Sequence, residues 1–217
     1  MSWATLNGIP VTRASLVVPY TGIWHADVSL DRDVEPDGPQ VLVIGPYTWN
    51  ASVVRAVDFA GSKRLRLVGG QGGWRTSVPP ELYVSPVGVP TTTVLADVAG
   101  LVGEIPPVVD PTLAPTLGTA FGRQAGLASL VLQQVCGDQW WMDPTGTIQT
   151  APRVGAVASL FSVQDVDGAC GRYVIQTEFP GDWTPGATFA SATVSGTISR
   201  TMWAINEGGV RVEVLTS

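Results

Sequence analysis

The feature that most constrains the fold is an alternation of apolar and polar residues near both ends of the chain. In the stretch "IWHADVSLD" the apolar members are Trp24, Ala26, Val28 and Leu30. In "VRVEVLTS" the residues Val210, Val212 and Val214 alternate with Arg211 and Glu213. Successive side chains of a β-strand point to opposite faces, so this period of two predicts strands with one buried face.

Further strand signals fill the rest of the first 88 residues. The run "VLVIG" (41–45) is typical of a buried strand, and "DRDVEPDGPQ" (31–40) is typical of a polar turn region. Two runs, 52–59 and 63–69, flank "AGS" and predict a hairpin. In its second strand we expect Leu65 and Leu67 to point inward, and Arg64 and Arg66 outward.

The pattern becomes helical over residues 89–152. Thr91 or Thr92 is a candidate N-cap, and Gly103 is a plausible helix stop. A second helix is expected near 121–137. Within each predicted helix the apolar residues recur at helical spacing. They are Val94, Leu95, Val98, Leu101 and Val102 in the first helix, and Leu127, Leu130, Val131 and Val135 in the second.

Two other segments complete this middle unit. The stretch 105–118 carries four prolines, which predicts an extended connector between the helices. In "QWWMDPTGTIQTAP" two strand-like halves flank "DPTG", with Pro144 at the second turn position. Residues 89–152 are therefore interpreted as a helix–helix–hairpin unit.

Strand signals return after residue 152. The candidate strands are "SLFSVQDVDG", "GRYVIQTEF", "ATFASATVSGTISRTMWAI" and "VRVEVLTS", with "NEGG" (206–209) as a hairpin turn. The expected fold class is mainly β (β+α), with strand-rich segments on both sides of the helical unit.

Composition excludes several classes of protein. The chain is 45% hydrophobic and 14% charged, with a net charge of −6 and Lys63 as its only lysine. An acidic chain is a poor candidate for gripping nucleic acid from outside, because phosphate binding needs clustered cations. The N-terminus lacks a secretory signal pattern, and no run of about 18 apolar residues suggests a membrane span. We expect synthesis in a cytoplasm.

The segment "GGQGG" contains Gly69, Gly70, Gly72 and Gly73 and resembles a phosphate loop at first sight. A phosphate loop needs a lysine, then Ser or Thr, then a helix. The following residues, Trp74-Arg75-Thr76, supply neither the lysine nor a helix start. The segment is better interpreted as a turn that leaves a strand and lets backbones approach closely.

No residue pattern predicts a catalytic, metal or cofactor site. His25 is the only histidine and lies on the polar side of a predicted strand. Cys136 ends an apolar helix and fits a core position, while a disulfide with Cys170 cannot be decided from sequence. Asp165 and Asp167 are typical of a solvated turn, although a paired-carboxylate hydrolase remains the weakest alternative.

Tryptophan is abundant and spread along the chain. Such side chains commonly serve as core residues or interface anchors, and a few of them together could form a platform for sugars. The eight positions are Trp3, Trp24, Trp49, Trp74, Trp140, Trp141, Trp183 and Trp203.

Four segments, 67–83, 92–104, 121–152 and 185–215, together resemble the baseplate hub (tail-tip hub) proteins of tailed bacteriophages. This family is related to the hubs of type VI secretion spikes. The resemblance rests on the stretches "LRLVGGQGGWRTSVPPELY", "CGDQWWMDPTGTI" and "VSGTISRTMWAINEGGVRVEVLTS". These are packing and turn patterns, and none is a catalytic signature.

The resemblance implies a fold and an assembly. Two β-barrel tube-type domains, 1–88 and 153–217, would flank the α/β unit at 89–152. Three copies would form a homotrimeric, pseudo-six-fold ring in the tail baseplate of the virion. That ring would join the tail tube, or a distal tail protein ring, to a central spike or tip protein. It would surround the channel through which DNA passes during DNA ejection, and it would have the tape measure protein as a further partner.

The resemblance also implies a structural role without enzymatic activity or cofactor. Candidate hinge or interface residues are Gly69, Gly70, Gly72, Gly73, Trp74 and Trp203. We expect polar strand faces (Asp27, Ser29 and Asp31; Arg211 and Glu213) to contribute to ring surfaces, and an acidic or neutral lumen to let DNA slip. The alternative interpretation is a receptor- or carbohydrate-binding tail module.

Overall fold

A computed structural model describes residues 3–31, 38–59, 61–158, 161–191, 193–206 and 209–217. Within these residues the chain forms 17 strands and two α-helices. The helices are α1 (Thr91–Leu101) and α2 (Ala128–Cys136). The strands are β1 (Ala4–Leu6), β2 (Ile9–Pro19), β3 (His25–Leu30), β4 (Gln40–Ile44), β5 (Tyr47–Phe59), β6 (Ser62–Gly69), β7 (Ser77–Val78), β8 (Glu81–Val84), β9 (Ala120–Arg123), β10 (Gly126–Leu127), β11 (Trp141–Met142), β12 (Ile148–Gln149), β13 (Phe161–Asp167), β14 (Arg172–Thr177), β15 (Thr188–Ala190), β16 (Ser195–Asn206) and β17 (Gly209–Thr216).

The first six strands close into a barrel. Their order is β1-β4-β5-β6-β3-β2, and β1 also pairs with β2, which completes the ring of strands. The alternation along β3 places Ala26, Val28 and Leu30 in the barrel core, as predicted, and Trp24 is buried just before the strand. The predicted hairpin is β5–β6, and Leu65 and Leu67 point inward as expected.

The last five strands extend the same sheet. Their order is β15-β16-β17-β14-β13, and β16 pairs antiparallel with β2 from Arg200–Pro19 to Asn206–Arg13. The ring of Phe161 on β13 lies 6.1 Å from that of Phe189 on β15. These five strands therefore curl until β13 and β15 approach each other around an aromatic core.

The architecture confirms a mainly β fold that combines a closed barrel with two helices and a hairpin. The boundaries 1–88, 89–152 and 153–217 stay a prediction. Because β2 and β16 share one hydrogen-bonded sheet, the N-terminal and C-terminal β units are joined directly rather than only through the middle of the chain.

The middle unit is built around a buried arginine. The side chain of Arg123 on β9 is 1% exposed and lies 2.7 Å from Asp97 of α1. Its Nε donates to the Pro79 carbonyl at 3.0 Å, and its Nη1 donates to the Tyr83 hydroxyl at 2.8 Å. Burial, followed by the hydrogen bond with Asp97, raises the pKa of Tyr83 to about 12. One guanidinium thus ties α1 to the β8–β9 pair.

The prediction for α1 is confirmed in extent but wrong about its cap. Val94, Leu95 and Val98 are buried, Leu101 is exposed, and Gly103 follows the helix with φ of +70°. The helix begins at Thr91 with Pro90 at the N-cap position. Thr91 cannot act as the cap because it is already helical and its hydroxyl donates to the Ala114 carbonyl at 2.6 Å.

The predicted start of the second helix is wrong. Residues 120–123 form β9 and pair with β8, so the helix begins only at Ala128. Strand pairing with β8 and the burial of Arg123 outweigh the weak helical propensity of a segment that contains Gly122 and Gly126. The predicted buried face is correct only in part. Val131 is buried and Val135 packs against the core, but Leu127 and Leu130 are exposed, and the other core positions are Ala128, Leu132 and Cys136.

The remaining loops follow the sequence pattern where they are described. The connector 105–118 has no regular strand or helix, and the "DPTG" turn joins β11 to β12. Most of the predicted turn at 31–40, residues 32–37, lies outside the described residues. So do residues 207 and 208 of the "NEGG" turn, whose flanking residues Asn206 and Gly209 pair with each other. Among the described residues, neither helix has the length or hydropathy to cross a membrane.

The barrel core predicts a strong contrast between two leucines in strands. Leu67 is fully buried inside the barrel, whereas Leu82 on β8 is 66% exposed. We expect Leu67→Ala to lower the free energy of unfolding by about 2–5 kcal/mol. The matched control Leu82→Ala should change it by less than about 0.5 kcal/mol. Denaturant unfolding measures both values, and similar losses for the two variants would contradict the assigned core.

Candidate functional site

The glycine-rich segment is a tight joint between the barrel and the middle unit. Strand β6 ends at Gly69, and a 3-10 turn follows at Gly73–Arg75. Gly70 and Gly72 have φ values of +74° and +84°, a region that favours glycine. A residue other than glycine would be strained at either position.

The backbone of this joint holds a carboxylate. The N–H of Gln71 donates to Oε2 of Glu104 at 3.1 Å, and the N–H of Gly73 donates to Oε1 at 2.6 Å. Backbone N–H groups from one turn that converge in this way form an anion-binding nest. The loop has the donor arrangement of a phosphate cradle, but the anion in it is the side chain of Glu104.

Competing effects act on the Glu104 carboxyl. Burial is the largest and raises its pKa, while the hydrogen bonds from the joint lower it and only partly offset the burial. Both carboxylate oxygens accept backbone hydrogen bonds, so the group is suited to positioning rather than to proton transfer.

The glycines also allow very close packing. A Cβ on Gly73 would lie 2.0 Å from the Val102 carbonyl oxygen, and one on Gly69 would lie 2.4 Å from the sulfur of Met142. A Cβ on Gly146, in the "DPTG" turn, would lie 2.8 Å from the Cα of Gly70. The end of α1 and the β11–β12 hairpin therefore both rest directly on the joint.

The hairpin is further fixed to the barrel by hydrogen bonds. The indole N–H of Trp24 donates to the Asp143 carbonyl at 3.0 Å. The backbone N–H of Asn50 donates to the Pro144 carbonyl at 2.8 Å, and the side-chain amide of Asn50 donates to the Thr145 carbonyl at 3.2 Å. The middle unit is thus attached at several points and not by the glycine segment alone.

The two tryptophans predicted to matter for the interface lie in different places. Trp74 is 1% exposed in the 3-10 turn, which packs against α2. Trp203 is 1% exposed on β16, with its ring 5.7 Å from Trp49 and 5.5 Å from Tyr47. Trp49 in turn lies 5.1 Å from Trp24, so edge-to-face aromatic contacts connect the joint to the second β unit. The roles of these residues as hinges or interfaces stay a prediction.

A cavity of about 450 Å³ lies beside this aromatic row. Trp141 and Arg153 are among its lining residues, and the Arg153 guanidinium lies 4.4 Å from the centre of the Trp141 ring. Arg153 is 8% exposed and its Nη1 donates to the Pro19 carbonyl at 3.0 Å. Desolvation lowers the pKa of Arg153 to about 10.

The other candidate residues do not assemble into a reactive site. His25 is half-buried on the outer face of β3, and its pKa is lowered first by burial and then by Arg66. Cys136 is buried, Cys170 is exposed, and both thiols are free. Asp165 and Asp167 lie on strand β13, so their predicted position in a turn is wrong. Among the described residues, no three His, Cys, Asp or Glu side chains are grouped as metal ligands would be.

Glu104 was missed by the sequence analysis. It follows the helix stop Gly103 directly, which is a recognisable local signal, but its partners are about thirty residues away in the chain. Met142 and Gly146 were missed for the same reason, since only the folded hairpin brings them to Gly69 and Gly70.

Neither a protein-family profile nor a curated protein sequence matches the chain. Solved structures do match it over nearly its whole length. A 43 kDa tail protein of prophage MuSo2 from Shewanella oneidensis has a TM-score of 0.68 and 9% identity, covering 99% of this chain and 96% of its own. A tail protein from Neisseria meningitidis has a TM-score of 0.65 and 13% identity, with the same two coverages.

A third match comes from a secretion system. The E. coli c3393 protein, a type VI secretion component structurally similar to bacteriophage T4 tail proteins gp27 and gp5, has a TM-score of 0.70. It is 8% identical and covers 98% of this chain and 75% of its own. The chain has a phage tail protein fold. The resemblance noted in the sequence is confirmed at the level of the fold.

The close packing at the joint predicts opposite effects for two glycine substitutions. Gly73→Ala should lower the free energy of unfolding by about 1–3 kcal/mol, because the new methyl group would strike the Val102 carbonyl. Gly100→Ala, within α1 and with no atom within 4 Å of its Cβ position, should raise stability by about 0.5–1 kcal/mol. Thermal and denaturant unfolding measure both, and a neutral Gly73→Ala would contradict the described joint.

The buried Glu104 predicts a specific pH dependence. Its folded-state pKa is raised above the ordinary value of 4.5. Its contribution to stability is therefore fully present below pH 4.5 and is lost as pH rises through the higher folded-state pKa. The stability of the natural protein relative to Glu104→Gln should fall over that window.

Unfolding free energies measured across a pH series test this dependence. Glu178→Gln, at an exposed glutamate, is the matched control for removal of a carboxylate. If the stability of the natural protein relative to Glu104→Gln instead rises with pH, then hydrogen bonding, and not burial, dominates the pKa of the Glu104 carboxyl group.

Proposed function

We propose that this chain is the structural hub protein of a phage tail baseplate. In this proposal three copies form a homotrimeric, pseudo-six-fold ring around the DNA channel. The ring joins the tail tube, or a distal tail protein ring, to the central tip or spike protein. DNA passes through it, the tape measure protein is a further partner, and the protein resides in the virion after synthesis in the cytoplasm of the host bacterium.

The observation that carries the proposal is the pairing of β2 with β16. This pairing places two curled β units side by side in one sheet within a single subunit. Three such subunits present six β units, which suits a junction between a six-fold tube and a three-fold tip. The likeness to phage tail proteins over nearly the whole chain supports the same conclusion.

The middle unit supplies surface for protein contacts. Three large apolar side chains are exposed on β8, which pairs with β9 of this unit, and in the loop that leads into α1: Leu82 at 66%, Val84 at 71% and Val87 at 91%. Exposed apolar groups close together commonly mark sites of protein association. In the proposed assembly this unit lies outside the ring of β units, where it can contact flanking tail proteins.

The proposed role involves no catalysis or cofactor. The buried carboxylate of Glu104 is engaged by the backbone of the joint, and the buried guanidinium of Arg123 is engaged by Asp97, Tyr83 and Pro79. The hydrogen bonds of these two side chains hold neighbouring segments of one subunit together.

A receptor- or carbohydrate-binding module is the second candidate. The cavity lined by Tyr47, Trp49, Trp141, Arg153 and Trp203 favours it, because aromatic side chains can contact sugar rings. Against it, Trp49 and Trp203 are 2% and 1% exposed, which leaves little of their rings for a ligand. Saturable quenching of tryptophan fluorescence by glycans would support this candidate.

The oligomeric state of the purified protein tests the hub proposal. Light scattering over a concentration series should give the mass of three chains, and negative-stain images of that species should show a ring with a central channel. A monomer at every concentration, combined with glycan-dependent fluorescence quenching, would contradict the hub and favour the binding module.

A further inference from the structure

The cavity beside the aromatic row lies where several parts of the chain meet. Its volume of about 450 Å³ falls within the range of about 300–1,000 Å³ that is usual for ligand sites. Its lining comes from the β4–β5 turn and the start of β5, the β11–β12 hairpin, residues 153 and 154, the segment 181–184 and strand β16. A molecule bound here therefore contacts the barrel, the middle unit and the second β unit together.

The cavity has a buried floor and an exposed rim. Trp49, Trp203 and Arg153 are 2%, 1% and 8% exposed, whereas Val154 is 89% exposed and Pro46 is also exposed. All five residues line the cavity. An apolar rim therefore leads from solvent toward a buried cation.

The guanidinium of Arg153 is only partly satisfied. Its Nη1 donates to the Pro19 carbonyl at 3.0 Å, and the guanidinium lies 4.4 Å from the centre of the Trp141 ring. Within the described part of the chain, Arg153 has no ion pair, and its Nε and Nη2 have no hydrogen-bond acceptor. A guanidinium has several N–H donors in a planar fork, and a buried charge without an opposite charge is costly. The remaining donors therefore suit an anion.

The carboxylate of Asp143 does not supply that anion. It accepts hydrogen bonds from Thr145 and Thr147 within its own hairpin. Burial lowers the pKa of Arg153, and the electrostatic attractions of Tyr20 and Asp143 offset only part of that effect. Because this pKa is still about 10, Arg153 keeps its positive charge at neutral pH.

Two tryptophans in the wall add further donors. Among the described residues, the buried indole N–H groups of Trp49 and Trp203 have no hydrogen-bond acceptor. Together with Tyr47 and Trp141 they give the cavity a largely aromatic wall. The site thus combines donors that lack acceptors, one of them cationic, with apolar surface. This combination matches an anion that is attached to an apolar group.

We propose that this cavity binds an organic carboxylate with an apolar body, which pairs through its carboxylate with Arg153 and packs through its body against Tyr47 and Val154. A planar carboxylate accepts parallel hydrogen bonds from a guanidinium. A free small acid and the carboxyl end of a peptide share this chemistry. The proposal goes beyond the hub role and requires no particular number of copies.

Other ligands fit the cavity less well. A neutral sugar supplies no charge for Arg153 and places its hydroxyl groups against an apolar rim. Inorganic phosphate supplies the charge but leaves the rings of Tyr47 and Trp141 without a contact. A carboxylate on an apolar body uses both the cation and the rings.

Calorimetric titration of the natural protein tests the proposal. The probe 3-phenylpropionate carries a carboxylate on an aromatic body, and 3-phenylpropionamide has nearly the same shape without the charge. The acid should bind saturably and at least about tenfold more tightly than the amide, because only the acid forms charge-assisted hydrogen bonds. Equal affinities, or no binding of the acid, would overturn the proposal.

Substitution of the arginine provides the second test. Arg153→Gln should weaken binding of the acid by at least about tenfold. The matched control Arg75→Gln, at an exposed arginine outside the cavity, should leave the affinity unchanged. An unchanged affinity in folded Arg153→Gln would contradict the proposed contact.

A further variant covers the case in which Arg153→Gln does not fold. Arg153→Lys keeps the charge but lacks the planar fork, so it should retain only part of the affinity for the acid. Circular dichroism checks that each variant is folded. The comparison of acid and amide on the natural protein decides the proposal without any substitution.

Peptides distinguish the two sources of the carboxylate. A short peptide that ends in phenylalanine is compared with the same peptide carrying a C-terminal amide. Tighter binding of the free-carboxyl peptide than of the small acid assigns the cavity to the chain end of a partner protein, and the reverse order assigns it to a free small acid. Either result supports the proposal.

A neutral glycan provides the remaining arm. A glycan that binds the natural protein and Arg153→Gln equally, when the acid does not bind, would overturn the proposal and favour the carbohydrate-binding module. Light scattering measures the mass of the protein separately, so the hub proposal is tested independently of this site.

Discussion

The rest of the structure depends on the antiparallel pairing of β2 with β16. Seven residue pairs, from Arg200–Pro19 to Asn206–Arg13, bring together segments that are more than 180 residues apart in the chain. This pairing places Trp203 against Trp49 and Tyr47 and fixes the second β unit beside the barrel. The middle third of the chain therefore leaves the barrel after β6 and later returns to the same sheet.

The glycine-rich joint lets the chain leave the barrel at the end of β6. Its positive-φ glycines turn the chain away from β6, and its N–H groups bind Glu104 just beyond the end of α1. A loop that resembles a phosphate cradle in sequence is occupied by the chain's own carboxylate. The donor geometry that binds anions elsewhere is used here to hold two units of one chain together.

Local patterns were sufficient for the parts of the fold that depend on local physics. The period of two along β3 identified its buried face, and the spacing of Val94, Leu95 and Val98 identified α1. The start of α2 was wrong because β9 forms only when β8 is available to pair with it. The β2–β16 pairing and the position of Glu104 in its nest were not predictable, since each depends on contacts between distant segments.

The central claim is that three copies of this chain form a ring from one repeated sheet. Electron cryomicroscopy of the assembled particle is the most direct measurement. The account predicts three copies around a channel, with six β units at similar radius. A single copy at the periphery of the tail would contradict it.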